Sequence, residues 1–80
     1  MRDTKHFCKG QIVTPDFSGP RRALYNIIED NLIQTSCEIG KNDFGIIIEN
    51  YDDESNNVWV KVLMSTGLTG YVPSIWVKPL

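Results

Sequence analysis

The chain is poor in the groups that carry out chemistry. Its 80 residues include one histidine, His6, and two cysteines, Cys8 and Cys37. No Cys-x-x-Cys pair occurs, so these residues make neither a disulfide framework nor a four-ligand zinc site. The two thiols are expected to be reduced and mostly packed, because a free cysteine behaves as a small hydrophobe. No glycine-rich phosphate loop is present. A cysteine nucleophile would need a positioned base, and His6 lies in a charged N-terminal stretch beside Cys8. A non-enzyme is therefore expected, with no catalytic residue, no metal and no cofactor. Long apolar runs are also missing: nothing approaches the ~18 residues of a membrane span. Met1 to His6 lacks the apolar core of a signal peptide. The expected setting is the cytoplasm, or a virion, without membrane contact.

An excess of one charge is lacking as well. Eight basic and ten acidic residues leave a formal charge of −2, unlike the basic surface of a general nucleic-acid binder. The distribution is uneven, because residues 1–22 hold Arg2, Lys5, Lys9, Arg21 and Arg22 against Asp3 and Asp16. A phosphate-contacting surface built on Arg21 and Arg22, with Lys5 and Lys9, is thus an alternative. Asp52-Asp53-Glu54 and Glu29-Asp30 read as solvated loops, and the former lacks the spaced oxygen ligands and glycine of a calcium loop.

What the chain does have is short β-forming runs. Hydrophobic residues make up 41% and charged residues 22%, ordinary values for one small globular domain. Residues 1–9 are polar and charged and are expected to form a flexible tail, with the domain spanning 10–80. Gly10 to Thr14 leads into a β-branched pair stopped by Pro15, and Asp16 to Arg22 carries turn residues. Strands are expected over Ala23–Ile28, Leu32–Glu38, Phe44–Tyr51, Val58–Met64 and Leu68–Val72, with a tight turn at Gly40 to Asp43. Val58, Val60 and Val62 alternate with Trp59 and Lys61, which puts Trp59 on the face opposite the valines. Ile75 to Leu80 supplies a short helical turn or a closing strand. No segment shows helical periodicity over ten residues. The expected class is all-β, a small five-stranded barrel, because closure removes edges that so short a chain cannot cover.

Trp59 to Val77, with its run Gly70-Tyr71-Val72-Pro73-Ser74, resembles the C-terminal half of a Src-homology-3 domain. Ala23-Leu24-Tyr25-Asn26 resembles the opening of that family, and Gly40 to Asp43 followed by Ile46-Ile47-Ile48 resembles its turn and following strand. The resemblance covers residues 23–80 and implies a Src-homology-3-like barrel. It also implies a groove of aromatic residues that grips a polyproline II ligand. Carried over, Tyr25, Pro73 and Trp76 match groove positions. Ile27 stands where the family has a second tyrosine, Val58 where it has the ligand-clamping tryptophan, and Ile75 where it has an asparagine.

The resemblance extends to small stand-alone barrels of tailed phages. It implies a non-catalytic interaction module that binds a protein or peptide, in the phage case a virion or host protein. The expected surface is Tyr25, Ile27, Trp59, Tyr71, Pro73 and Trp76. Tyr71 is also a candidate to close the core. The rival readings are a nucleic-acid-associated barrel using Arg21 and Arg22, and a homo-oligomer whose exposed aromatics form its own interface.

Overall fold

The computed structural model describes residues 6–17, 21–40 and 42–80. Lys5, the middle of the Asp16–Arg22 turn and Lys41 lie outside these described residues. Seven strands form: β1 (Ile12–Pro15), β2 (Arg22–Ile28), β3 (Asn31–Ile39), β4 (Gly45–Asp52), β5 (Val58–Met64), β6 (Thr69–Pro73) and β7 (Val77–Pro79). A 3₁₀ turn, Ser74–Trp76, joins the last two. The all-β class holds, and the C-terminus carries a short helical turn followed by an edge strand that closes nothing.

Two expectations need correction. The described residues form seven strands and not five, and these lie in one antiparallel sheet of order β3-β2-β6-β5-β4-β1-β7 rather than in a closed barrel. β3 and β7 are its ends, and among the described residues no pairing joins them. The β7 edge has little to offer a closing partner: it is three residues long and ends on Pro79, which has no N–H. The open sheet is nevertheless coiled. Laid flat, seven strands would span about 29 Å with a thickness near 10 Å, whereas the molecule measures 31 × 24 × 24 Å.

Coiling lets all seven strands contribute to one core. Val13, Leu24, Ile39, Ile47, Val60, Val62, Met64, Val72 and Val77 are buried together, joined by Phe7. The alternating valines of β5 face this core as expected, and Trp59 lies on the other face. Phe7, within the stretch read as a tail, packs against the sheet. It is 7% exposed, and its backbone N–H donates to Asn50 Oδ1 at 3.0 Å while its carbonyl accepts from Asn50 Nδ2 at 2.7 Å. Gly10 N–H then donates to the Ile47 carbonyl, and Ile47 N–H to that of Gln11. Cys37 packs against the core, whereas Cys8 is exposed, contrary to the expected packing; both thiols are free.

Local irregularities decide which side chains face outward. In β4, Ile46 pairs with Leu63 and Ile47 with Val62, but the next partner of β5, Lys61, pairs with Glu49. The extra residue, Ile48, is a β-bulge that resets the two-residue period. Without it Glu49 and Tyr51 would point into the core. Between β2 and β3 the two-residue loop Glu29-Asp30 has φ of 51° and 65°, the geometry of a tight primed turn occupied here by two residues with Cβ atoms. Further along, the register of β3 slips opposite Leu24, and Thr35 Oγ1 fills the irregularity by donating to the Leu24 carbonyl at 2.9 Å. The β5–β6 loop ends on Gly67 at φ 92°, where a glycine is needed to return the chain.

Candidate interaction surface

The outer face of the sheet carries two cross-strand rows. One runs Glu49–Lys61–Tyr71–Tyr25–Gln34 across β4, β5, β6, β2 and β3. The other runs Tyr51–Trp59–Pro73, two residues further along each strand. Residues two apart share a face, so the sheet gathers Tyr25, Tyr51, Trp59, Tyr71 and Pro73 on one side.

Three of the predicted residues meet as rings. Tyr25 and Trp59 have centroids 5.1 Å apart at 68°, and Tyr25 and Trp76 are 6.5 Å apart at 61°. These edge-to-face geometries are the favoured ones for aromatic pairs. Trp76 arrives from the 3₁₀ turn and packs on the core with its inner side. Pro73 stands directly opposite Trp59 in the register. Trp59 is half-buried rather than freely exposed, because Tyr25 covers it and its indole N–H donates to Asp53 Oδ2 at 3.0 Å.

Asp53 was expected to be a solvated loop residue, and it instead organises the β4–β5 loop. Its Oδ1 accepts from Ser55 N–H at 2.8 Å and Asn57 N–H at 2.9 Å. The Asn57 backbone donor, helped by the Trp59 indole and by Ser55 and opposed by burial, holds its carboxyl below the usual value. The loop thereby fixes the rotamer of Trp59.

Tyr71 occupies the same face but is 8% exposed, under the Tyr51 ring at 5.9 Å and the Lys61 ammonium at 5.8 Å. It is buried, but outside the core cluster, which lies on the opposite side of β6, so it does not close the core. Its hydroxyl donates to Glu49 Oε2 at 3.2 Å. Burial first, and the Glu49 charge second, push its pKa above 10.0. Ile27 does not join the ring cluster: it pairs with Leu32 on the outer arm of the β2–β3 hairpin. Val58 is 3% exposed and takes no part in the surface.

Phe17 and Arg22 extend the cluster in a way the sequence did not suggest. Phe17 meets Trp76 edge-on at 6.0 Å. The Arg22 guanidinium carbon lies 4.5 Å from the Phe17 centroid and 4.9 Å from that of Trp76, both within cation–π range. A depression of about 630 Å³ opens here, lined by Phe17, Arg22 and Trp76 together with Asp16, Ile75 and Lys78. Arg21 behaves differently. It lies 3.3 Å from Asp43 Oδ2 and 4.0 Å from Glu38 Oε1, and donates to the Glu38 carbonyl at 2.9 Å. Adjacent in sequence, the two arginines point to unrelated surroundings.

No family model, no curated protein and no solved structure matches the chain. No helix among the described residues is long and apolar enough to cross a membrane.

Proposed function

We propose that the protein is a non-catalytic interaction module of Src-homology-3-like fold, whose aromatic surface receives a peptide segment of another protein. The observation that carries this reading is the meeting of Tyr25, Trp59 and Trp76, from β2, β5 and the 3₁₀ turn, with Pro73 opposite Trp59 in the register. Rings set edge-on leave ridges and shallow slots into which a proline or an aliphatic side chain fits. The rings are held by the sheet register, by Asp53 and by the core beneath Trp76, so little ordering entropy is lost on binding. The Gly-Tyr-Val-Pro-Ser run supports the family likeness, since it forms a strand that passes directly into the turn bearing Trp76.

Trp59 and Trp76 are the chain's two tryptophans, so their indole N–H resonances report on this surface alone. Titration with a short proline-rich peptide should move both resonances saturably, and Trp76→Ala should weaken binding about tenfold, as expected for a hot-spot aromatic. Indole resonances that stay fixed at millimolar peptide would defeat the reading. The molecular mass over a concentration series separates the homo-oligomer: a monomer throughout leaves the aromatic face open to a partner, and a stable multiple would assign that face to self-assembly.

A further inference from the structure

We propose that the depression beside Trp76 binds a carboxylate of the partner, so that preferred peptides carry a glutamate or aspartate next to the residue stacked on the rings. This rests on the reading of the aromatic surface as a peptide site and adds a charge requirement to it. The central group is Arg22. Its guanidinium lies over the Phe17 and Trp76 rings, and among the described residues no carboxylate or carbonyl accepts a hydrogen bond from it. Its neighbour shows the contrast, since Arg21 meets two carboxylates and a carbonyl. Ring contacts do not consume the N–H groups of a guanidinium, which stay available to an acceptor. Its planar fork matches a carboxylate through two parallel hydrogen bonds.

The surrounding charges fit one carboxylate. Lys78 and Asp16 also line the depression, with Lys78 Nζ 4.0 Å from Asp16 Oδ1. Arg22 and Lys78 against Asp16 leave a local charge of +1 (two cations less one anion), enough for a singly charged side chain. Asp16 opposes a run of phosphates, and the formal charge of −2 on the whole chain adds to that opposition. Ile75, 58% exposed, supplies an apolar wall for the methylene stem of a glutamate. The position also suits the proposed peptide path, because Trp76 touches both Tyr25 and Phe17. A chain lying over the ring cluster would bring its next side chain over Arg22.

The test compares two acetylated, amidated peptides, Pro-Pro-Glu-Pro-Pro and Pro-Pro-Gln-Pro-Pro, by titrating the two indole resonances at low salt. The glutamate peptide should bind about tenfold more tightly, as expected for a charge-assisted hydrogen bond at a partly exposed site. Arg22→Gln should abolish the preference while keeping a dispersed amide spectrum, Arg22→Lys should retain part of it, and Trp76→Ala should weaken both peptides alike. Equal affinity of the two peptides for the unaltered protein would overturn the carboxylate and leave the aromatic surface standing. Binding of neither at millimolar concentration would remove both. A single-stranded thymidine oligonucleotide that displaces the glutamate peptide with a steep salt dependence would reassign Arg22 to phosphate.

Discussion

Replacing Gly70 by alanine should separate the two parts of the sheet at the place where they are joined most closely. β2 meets β6 at the Tyr25–Tyr71 pair. A Cβ on Gly70 would stand 2.8 Å from Leu24 Cβ and 3.0 Å from the Tyr25 carbonyl oxygen. Neither neighbour can swing aside: one atom is backbone, the other is fixed to it, and Leu24 is fully buried. Relief requires β2 to retreat by several tenths of an ångström, which is the overpacking that costs typically 1–3 kcal/mol. For a domain of this length, 2 kcal/mol corresponds to a fall of about 8–16 °C in Tm. Urea denaturation of Gly70→Ala, Leu24→Ala and the double variant provides the assay. Leu24→Ala alone should cost about 2–5 kcal/mol. The double variant should cost the sum to within about 0.5 kcal/mol, because alanine at position 24 keeps the Cβ that the added methyl meets, and the Tyr25 carbonyl stays as well. The Tyr25–Trp59 contact should loosen with β2, so the Trp59 indole resonance should shift in Gly70→Ala before any unfolding. An alanine variant as stable as the parent, or a cost of Gly70→Ala that vanishes in the Leu24→Ala background, would refute the claim that this glycine sets the spacing between β2 and β6.

Phe7→Ala should cost about 3 kcal/mol, the lower end for truncating a buried aromatic, and a change under 0.5 kcal/mol by urea unfolding would return residues 7–9 to a tail. Asp53 has a folded pKa below its unfolded one, so its contribution is complete above about pH 4 and is lost as pH falls through the lower folded value. Asp53→Asn should therefore flatten the fall of stability in acid and free the Trp59 indole signal, and parallel acid profiles for the two proteins would count against this role. Glu29→Asn with Asp30→Gly should raise stability by about 1 kcal/mol, because a non-glycine residue in the left-handed region costs roughly 1–2 kcal/mol and this pair of residues accepts the turn. An unchanged urea midpoint would show that the loop carries no such cost.

The parts of this fold that could be read from the sequence are those where one short period governs a whole segment. Val58, Val60 and Val62 keep strict alternation through β5, so both the core face and the outward placement of Trp59 were legible. β4 resisted the same reading. Its run of three isoleucines hides a bulge, and a bulge is decided by the partner strand, where Lys61 must face Glu49. Phe7 was illegible for a related reason: one apolar residue among charged neighbours has no period, and its partner Asn50 lies 43 residues away.

The candidate surface divides along the same line. Tyr25, Trp59, Pro73 and Trp76 could be named because each stands in a strand or strand-ending motif with a definite face. Phe17 could not, and Arg22 was named only as a phosphate contact and not as a neighbour of the rings, because the two flank a stretch of turn residues whose path no local pattern specifies. Asp53 looked like one acid in an acidic loop; only its distance to the Trp59 indole distinguishes it from Asp52, which instead lies 3.1 Å from His6 Nε2. The residues that remained hidden are the polar ones that hold or edge the rings. Their energies come from geometry rather than burial, and hydrophobic patterning carries no record of geometry. A search for such sites in small β proteins therefore gains most from asking which polar groups touch each outward aromatic, since that contact separates a held ring from one merely left at the surface.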